Sequence, residues 1–422
     1  MSAVFQHSLP FHGDAFDIFC IFRNHPHAFF LDSSLHRSQS QASYIGFSPF
    51  AIVNSGGLPG LKKMFEKHQL KAQGVAFPAG AVGYLGYDGS LFFGFYDTII
   101  SVDHQKQQLI ISSLKRARIK DVLKQLESPL TSVLKQKSEK QVLDFKSNFT
   151  KAAYIRAVRQ ALEHIRCGDI YQINLSHRIK LQVPRWRKYT EAAFVYQNLR
   201  KSFPSEFGAY FNDGKQVILS ASPERFLKLQ EGKAQVKPMK GTRPRGKTKV
   251  QDKIFKEQLL KSPKEKAELL MVTDLERNDL GRVCEYASVK VKTMRMIETY
   301  ATVFQATSTV EGRLRHGLDQ FDLLQATFPS GSVTGCPKIE AMKIIQQIEA
   351  CNRGLYTGAL GYISFSGDMD FNVMIRTMFL DLKEISFHVG GGIVADSKPQ
   401  EEWQETWDKA QPLIQALRES FS

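Results

Sequence analysis

The first third of the chain alternates short apolar runs with turn-forming residues. Apolar runs at residues 28–31, 43–47 and 51–53 are each followed by Asp, Ser or Asn, and a β-hairpin is predicted at 98–112 from two alternating runs. Short helices are predicted at residues 60–68 and around 121–126. The run GAVGYLGYD at residues 80–88 carries glycines at a density that indicates close backbone approach rather than a membrane helix.

Residues 114–148 differ from the sequence on either side, because Lys, Gln and Ser are frequent and apolar residues are sparse. We interpret residues 128–146 as a linker. The chain is therefore divided into two predicted parts, residues 1–145 and 146–422.

The second part contains longer elements with clearer boundaries. Apolar residues recur at helical spacing between Thr150 and Gly168, which are a suitable start and stop for a helix. The next residues, GDIYQINLS, alternate as a strand with the amides of Gln172 and Asn174 on its polar face. The remaining predicted elements are strands at residues 217–222, 358–365 and 373–381, and helices at 262–281, 339–348 and 398–420.

Composition narrows the class of protein. The chain has 422 residues, 42% of them hydrophobic, and a formal net charge of +15, which favours anionic partners. Its five cysteines are widely spaced and form no C-x-x-C, as is typical of reduced thiols. No signal-peptide pattern and no apolar run of membrane-spanning length is present. We expect a soluble cytoplasmic protein without a membrane partner.

Lys240, in the stretch VKPMKGTRPR, is a candidate nucleophile. A lysine amine attacks carbon when burial or nearby cations disfavour its charged form, and the same stretch carries three more basic residues. Glu224 follows the strand at residues 217–222, which is predicted to form a hairpin with the run before Lys240. Glu224 is therefore a candidate acid or base for that amine. The alternatives are a solvated loop lysine and a surface ion pair worth about 0–1 kcal/mol.

Two predicted helices each carry a pair of Glu residues on one face, Glu265 with Glu268 and Glu402 with Glu405. Four carboxylates suit a hard cation such as Mg²⁺, which prefers oxygen ligands and keeps several waters. Glu265 is also explained as part of a helix-capping box, and Glu405 as the partner of Lys409 in an exposed helix pair. Both interpretations stay open on these residues alone.

Three features suit an anionic ligand. The loop FPSGSVTGCPK at residues 328–338 opens a helix, and free amides at a helix start bind anions. The three glycines of HVGGGIVADS, at residues 388–397, permit close approach of a ligand to the backbone. Arg376, inside the strand predicted at 373–381, suits a bidentate carboxylate partner, although an exposed strand position is the alternative.

From Gly168 onwards the sequence resembles the chorismate-utilising enzymes, which include anthranilate, aminodeoxychorismate, isochorismate and salicylate synthases. The motifs that carry the resemblance are GDIYQINLS, SPERF, KPMKGT, DLERNDLGRV, FPSGSVTGCPK, IRT and GGGIVADS. Residues 1–145 resemble, more loosely, the N-terminal part of anthranilate and aminodeoxychorismate synthases. The resemblance implies an α+β fold, a large sandwich of two antiparallel β-sheets flanked by helices, and chorismate as the substrate.

Two positions separate the branches of this family. Isochorismate and salicylate synthases carry a water-activating lysine where this chain has Gln172, which implies ammonia as the nucleophile here. Anthranilate synthases usually read PIAGT where this chain reads PMKGT, and the lysine is typical of aminodeoxychorismate synthases, which serve 4-aminobenzoate and folate synthesis. Their reaction is the implied one, with that of the anthranilate synthases as the alternative. Gln305 departs from the family, since relatives often have a histidine tied to pyruvate elimination there.

The resemblance also implies individual roles. Lys240 would attack C2 of chorismate as the C4 hydroxyl departs with a proton from Glu224, and ammonia would then add at C4 and expel the lysine. The implied Mg²⁺ ligands are Glu268 and Glu405, supported through water by Glu265 and Glu402. The implied substrate-binding residues are Gln172, Thr242, Thr334, Tyr356, Arg376, Gly391 and Lys409.

Partners follow from the same resemblance. Ammonia is normally delivered to such enzymes by a separate glutaminase subunit, component II, and no glutaminase-like nucleophile elbow surrounds any of the five cysteines. No finger spacing or Arg-rich tail indicates a nucleic-acid partner. The segment Asp32-Ser33 is similar to the tryptophan-binding region of the family. This similarity leaves open whether tryptophan binds here, and we do not expect tryptophan to regulate the protein.

Overall fold

Two antiparallel β-sheets form the body of the molecule, with α-helices packed around them. The computed structural model describes residues 3–35, 42–70, 76–127, 143–183, 188–300 and 303–421. The fold expected from the resemblance is confirmed.

The strands lie in chain order as β1 (Phe5–Pro10), β2 (Phe29–Asp32), β3 (Ala42–Gly46), β4 (Ala51–Val53), β5 (Gly80–Leu85), β6 (Leu91–Tyr96), β7 (Thr98–Asp103), β8 (Gln108–Ser113), β9 (Phe145–Ser147), β10 (Gln172–Gln182), β11 (Phe207–Asn212), β12 (Val217–Ser222), β13 (Arg225–Gln230), β14 (Lys233–Val236), β15 (Met239–Pro244), β16 (Lys290–Thr299), β17 (Val303–Arg313), β18 (Gly335–Cys336), β19 (Ala359–Ser364), β20 (Met369–Val373), β21 (Thr377–Leu380) and β22 (Glu384–Ile393). Sheet A has the order β1-β8-β7-β3-β2-β11-β12-β21-β22-β10-β18, with β9 on β10. Sheet B has the order β15-β17-β14-β13-β20-β19-β5-β6-β4, with β16 on β17.

The helices are α1 (Ala15–Phe22), α2 (Gly57–Phe65), α3 (Arg116–Leu126), α4 (Lys151–Cys167), α5 (Lys188–Ser202), α6 (Lys249–Lys261), α7 (Pro263–Gly281), α8 (Gln320–Thr327), α9 (Lys338–Ile348) and α10 (Pro399–Ser420), with a short 3-10 helix at Gly331–Val333. Predicted end signals are confirmed in two of them. Thr150 caps α4 by accepting from the Ala153 amide, and Gly168 ends it with φ 83°. Ser262 caps α7 by accepting from the Glu265 amide.

The two predicted parts of the chain contribute strands to both sheets. In sheet A, β2 of the first part pairs with β11 of the second, and in sheet B, β5 pairs with β19. The boundary at residues 145/146 therefore does not separate two sheets. Most of the predicted linker, residues 128–142, lies outside the described residues. The predicted C-terminal end of the linker, at residue 146, is wrong, because Phe145–Ser147 is strand β9, which pairs with β10.

Other predictions of local structure need correction. Glu224 and Lys240 do not lie on one hairpin, because β12, before Glu224, belongs to sheet A and β15, which holds Lys240, lies at the edge of sheet B. Arg376 is not inside a strand, since it lies between β20 and β21 with φ 50°. Helix α1, with Phe16 and Phe19 buried in the core, was not predicted because its apolar residues are as dense as those of a buried strand.

Candidate active site

Lys240 lies in β15 at a β-bulge that aims it into the molecule. Lys240 pairs with Ala306 and Thr242 with Gln305, so Gly241 is the extra residue. Gly241 has φ 81°, and a Cβ there would lie 2.9 Å from Cγ of Glu265. Only glycine therefore allows α7 to pack this closely on the bulge.

The Lys240 amine is half-buried and has one close acceptor. Its Nζ donates to the Ser332 carbonyl at 3.2 Å. Burial lowers the pKa of Lys240, against the opposing effect of the Glu268 and Glu224 carboxylates. A larger share of this amine is therefore neutral, and nucleophilic, than for a solvated lysine.

Glu224 lies in the short connection between β12 and β13 and is 4% exposed. Burial raises the pKa of Glu224 to about 7, against the Ser332 hydroxyl, the Lys240 charge and the Met239 amide. A carboxyl group with such a pKa holds its proton at a pH where it can still release it. Glu224 thus fits a general acid next to Lys240.

Gln172 faces the same amine. A Cβ built on Gly392 of β22 would lie 3.0 Å from Nε2 of Gln172 and 3.4 Å from Nζ of Lys240. Gln172 is 1% exposed, and within the described structure neither atom of its side-chain amide has a hydrogen-bond partner. Because buried amides are normally paired, the two free groups fit a polar ligand beside Lys240.

Gly391, the residue before Gly392 in β22, faces α10. A Cβ on Gly391 would lie 3.3 Å from Oε2 of Glu402, 3.6 Å from Oε1 of Glu405 and 3.8 Å from Nζ of Lys409. Lys409 Nζ bonds the Gly390 carbonyl at 2.9 Å and pairs with Glu405 at 2.7 Å. The Lys409 charge holds the pKa of Glu405 below its usual value.

The two glutamate pairs converge from α7 and α10. Burial raises the pKa of Glu268 against the charges of Lys240 and Lys264, and the charges of Glu405 and Glu265 add to the rise. Glu402 accepts from Ser397 Oγ at 2.6 Å. One Glu265 oxygen pairs with Arg243 at 2.7 Å, whereas Oε2 is buried and has no partner among the residues that the structure describes.

This donor set fits a cation only in part. All four groups are oxygen donors, as Mg²⁺ prefers, and the free Glu265 oxygen is available. In the parts of the chain that the structure describes, however, no three Asp, Glu, His or Cys side chains lie close enough to hold a metal by themselves. A bound Mg²⁺ would share its coordination with water and substrate oxygens, as is usual for this ion.

The other predicted substrate contacts differ in their surroundings. Tyr356 is buried and stacks on His388 at 4.9 Å, and burial raises its pKa to about 12. The Thr334 hydroxyl donates to the Ser330 carbonyl at 3.0 Å. Thr242 is exposed to solvent in β15.

Arg376 is held in an unusual environment. Its Cζ lies 3.8 Å from the centre of the Phe203 ring, and burial lowers its pKa to about 10. Its φ of 50° is in the left-handed region, which is uncommon for a non-glycine residue. A desolvated guanidinium on an aromatic face fits a carboxylate ligand.

Two further groups were missed by the sequence reasoning. The buried Arg353 donates to both oxygens of Glu349 and to the carbonyls of Asn174 and Val333, which ties β10 to the loop before α9. Glu276 is a second buried carboxylate behind Glu224. Arg353 with Glu349 has the i, i+4 spacing of an ordinary surface pair, and Glu276 stands in a charged run, so neither carried a signal.

A separate cavity of about 420 Å³ lies between the sheets and is lined in part by Asp32, Ser33 and Tyr44. The Asp32 carboxylate is already bound by Arg200 Nε at 2.8 Å and by the Tyr196 hydroxyl at 3.1 Å. A tryptophan site at this segment stays a prediction. Among the described residues, no helix combines the length and apolarity needed to span a bilayer.

Comparison with known proteins gives a consistent result. The family described as chorismate binding enzyme matches residues 60–415. Anthranilate synthase component 1 of Aquifex aeolicus (strain VF5) is 41% identical over 300 residues, which cover 71% of this chain and 60% of that protein. Aminodeoxychorismate synthase component 1 of Bacillus subtilis (strain 168) is 34% identical over 370 residues, 81% of this chain and 77% of that protein. The crystal structure of anthranilate synthase component I from Streptococcus pneumoniae TIGR4 has a TM-score of 0.78 and 30% identity, covering 89% of this chain and 93% of that one.

Proposed function

The chain belongs to the family of chorismate binding enzymes, and from this premise we propose that it is component 1 of an aminodeoxychorismate synthase. The reaction converts chorismate and ammonia to 4-amino-4-deoxychorismate, a precursor of 4-aminobenzoate. One observation carries the proposal: Lys240 Nζ and the Gln172 amide, which has no partner in the described structure, both lie within 3.4 Å of the point that a Cβ on Gly392 would occupy. A glutamine amide cannot deprotonate water, whereas a desolvated lysine attacks carbon.

The chemistry begins at Lys240. Its neutral amine forms a bond to C2 of chorismate, the two ring double bonds shift towards C4, and the bond from C4 to the hydroxyl oxygen breaks. The proton of Glu224 goes to that oxygen, which leaves as water. Ammonia then bonds to C4, the double bonds shift back, and the bond between C2 and Nζ breaks to return the lysine. The proton lost from the new ammonium group returns to the enzyme.

Mg²⁺ is the proposed cofactor, with Glu268 and Glu405 as its protein ligands and Glu265 and Glu402 bound through water. The ion would supply positive charge at a substrate carboxylate and so draw electron density from the ring. Support comes from the convergence of the two glutamate pairs and from the free Oε2 of Glu265.

The remaining substrate contacts are proposed from the resemblance and from the charge and polarity of the side chains. Arg376 and Tyr356 would bind the enolpyruvyl carboxylate. The positive Lys409, with Thr334 and the bare backbone of Gly391, would bind the region of the ring carboxylate. Gln172 would complete the pocket on the side of Lys240, with the exposed Thr242 at its edge.

A glutaminase, component II, is the proposed partner and ammonia source. The Bacillus subtilis relative carries the name component 1, which implies a second component for that protein. For this chain the glutaminase and its ammonia are part of the proposal.

The alternative is the reaction of an anthranilate synthase, and the 41% identity to the Aquifex aeolicus protein favours it. This chain spans only 60% of that relative's length. Lys240 argues against the alternative, because anthranilate synthases usually read PIAGT, without a lysine, where this chain reads PMKGT.

A product assay tests the proposal. The purified chain is incubated with chorismate, Mg²⁺ and an ammonium salt, and the products are identified by mass spectrometry. Aminodeoxychorismate is expected from the wild type and from Lys247→Ala, an exposed lysine in the same region, but not from Lys240→Ala. Anthranilate and pyruvate would refute the proposal. If no product forms, the assay is repeated with glutamine and a glutaminase component.

A further inference from the structure

Two buried serine side chains stand between Glu224 and a second buried carboxylate. The Ser332 hydroxyl faces the Glu224 carboxyl and lowers its pKa, and its Oγ lies 3.0 Å from Oγ of Ser330. Ser330 Oγ lies 3.0 Å from Oε1 of Glu276. The two serine hydroxyls are thus placed to link the two carboxyl groups.

Glu276 belongs to α7, and its setting is poorly suited to a permanent negative charge. The residue is 1% exposed, and its Oε2 has no hydrogen-bond partner in the described structure. Its Oε1 accepts from the Gly331 amide at 2.8 Å. The nearby ammonium group of Lys338 is itself bonded to Asp279 and to the carbonyls of Thr327 and Pro329.

The charged groups that face the two carboxyls are few. Glu276 faces Lys338 and Asp279, and Glu224 faces Lys240 and Glu276. Burial raises the pKa of both carboxyls, and the negative charge of Glu276 raises that of Glu224 further. Two carboxyls with these properties titrate as a pair.

We propose that Glu224 and Glu276 share one proton through Ser330 and Ser332, so that a proton resting on Glu276 reaches Glu224, which gives it to the leaving hydroxyl. This inference rests on the proposed function for the identity of that hydroxyl. It makes Glu276 a positioning residue that acts on the reaction through Glu224 and does not touch the substrate.

The two hydroxyls allow the transfer without a change of heavy-atom positions. While Glu224 is protonated, it donates to Ser332, Ser332 donates to Ser330, and Ser330 donates to the ionised Glu276. When the shared proton rests on Glu276 instead, Glu276 donates to Ser330, Ser330 donates to Ser332, and Ser332 donates to the ionised Glu224. Passing from this second state to the first breaks one O–H bond at Glu276, forms one at Glu224, and breaks one and forms one at each serine oxygen, so proton and charge balance along the chain.

The order of events then follows. Glu224 gives its proton to the departing oxygen, and the pair takes up one proton from the C4 ammonium group that forms when ammonia adds. The enzyme returns to its starting protonation state without exchanging that proton with solvent through the substrate pocket.

The first test needs no turnover. The infrared band of protonated carboxyl groups is followed during a pH titration of the free full-length protein, for the wild type, Glu276→Gln and Asp274→Asn. Asp274 is an exposed carboxylate on the same helix and serves as the matched control. Glu224→Gln identifies the band of the pair.

The expected result is a wild-type midpoint near pH 7, a midpoint lower by about one unit in Glu276→Gln, since one like charge is removed, and an unchanged midpoint in Asp274→Asn. A Glu276→Gln midpoint equal to that of the wild type would overturn the inference. If Glu276→Gln does not fold, as judged by circular dichroism, Ser330→Ala tests the same chain of bonds.

The second test measures turnover. Ser330→Ala and Glu276→Gln are expected to lower kcat by about tenfold, since proton transfer is impaired, with little change in KM for chorismate and with an altered solvent isotope effect. Unchanged kcat and isotope effect in Ser330→Ala would overturn the inference. A wild type that makes anthranilate and pyruvate would refute the proposed function instead, and the infrared titration would still decide whether the proton is shared.

Discussion

Replacing Arg353 by Met tests how much its buried ion pair with Glu349 stabilises the folded protein. Arg353 is 3% exposed, and its guanidinium bonds both Glu349 oxygens, at 2.9 and 2.7 Å. It also bonds the carbonyls of Asn174, at 2.6 Å, and Val333, at 2.8 Å. Methionine fills a similar volume but leaves the Glu349 charge without its partner.

The cost of Arg353→Met is expected to be about 3–5 kcal/mol of unfolding free energy, the usual cost of stranding one charge of a buried pair. The double variant Arg353→Met/Glu349→Gln removes that charge. Its glutamine Oε1 can still accept from the amide and hydroxyl of Ser176, which now bond Glu349 at 2.8 and 2.9 Å. The double variant is therefore expected to recover about 2 kcal/mol relative to the single one.

Urea denaturation followed by fluorescence and circular dichroism measures both values. Arg166→Met is the matched control, because Arg166 is 76% exposed and pairs with Glu163 on the surface of α4. That control is expected to cost less than about 0.5 kcal/mol. A double variant as unstable as Arg353→Met would refute the reasoning, since the loss would then come from the carbonyl bonds and not from the stranded charge.

Three further predictions concern the pocket itself. Gly392→Ala places a methyl group 3.0 Å from Nε2 of Gln172. The variant is expected to lower kcat by about tenfold, because reacting groups are misplaced, while the melting temperature shifts little. An unchanged kcat would contradict the placement of Gln172. The pKa of Glu224 is raised to about 7. Its protonated form therefore contributes stability that is present below the unfolded pKa and is lost as pH rises through about 7. The melting temperature of the wild type should fall between pH 5.5 and 8 by more than that of Glu224→Gln. Glu268→Gln and Glu405→Gln are each expected to reduce the rise in melting temperature that Mg²⁺ produces in the wild type, and calorimetric titration with Mg²⁺ that shows equal affinity in all three proteins would refute the ligand assignment.

Periodicity in the sequence placed many of the elements that carry the site. The prediction of α10 at residues 398–420 agrees with Pro399–Ser420, and that of α7 with Pro263–Gly281. Helix α7 has local start signals in its Ser262 cap and Pro263, and α10 begins with Pro399. The helical period of 3.6 residues put Glu265 with Glu268, and Glu402 with Glu405, on one helix face each.

Strand pairing was not accessible in this way. The run before Lys240 and the strand before Glu224 are close in sequence, but their strands belong to different sheets. A two-residue period states which side chains share a face of a strand and contains nothing about the neighbouring strand. The hairpin prediction failed for this reason.

The sequence by itself determined the residue types at the centre, their phase on each helix and, through its motifs, the family. Only the tertiary structure decided which of them meet: that Lys240 and Gln172 both lie beside Gly392, and that Glu276 is a neighbouring charge of Glu224. Burial was decided there too, and with it the direction of each pKa shift. Such properties depend on contacts between residues far apart in the chain, because a charge is desolvated or paired only by the groups that the fold packs against it.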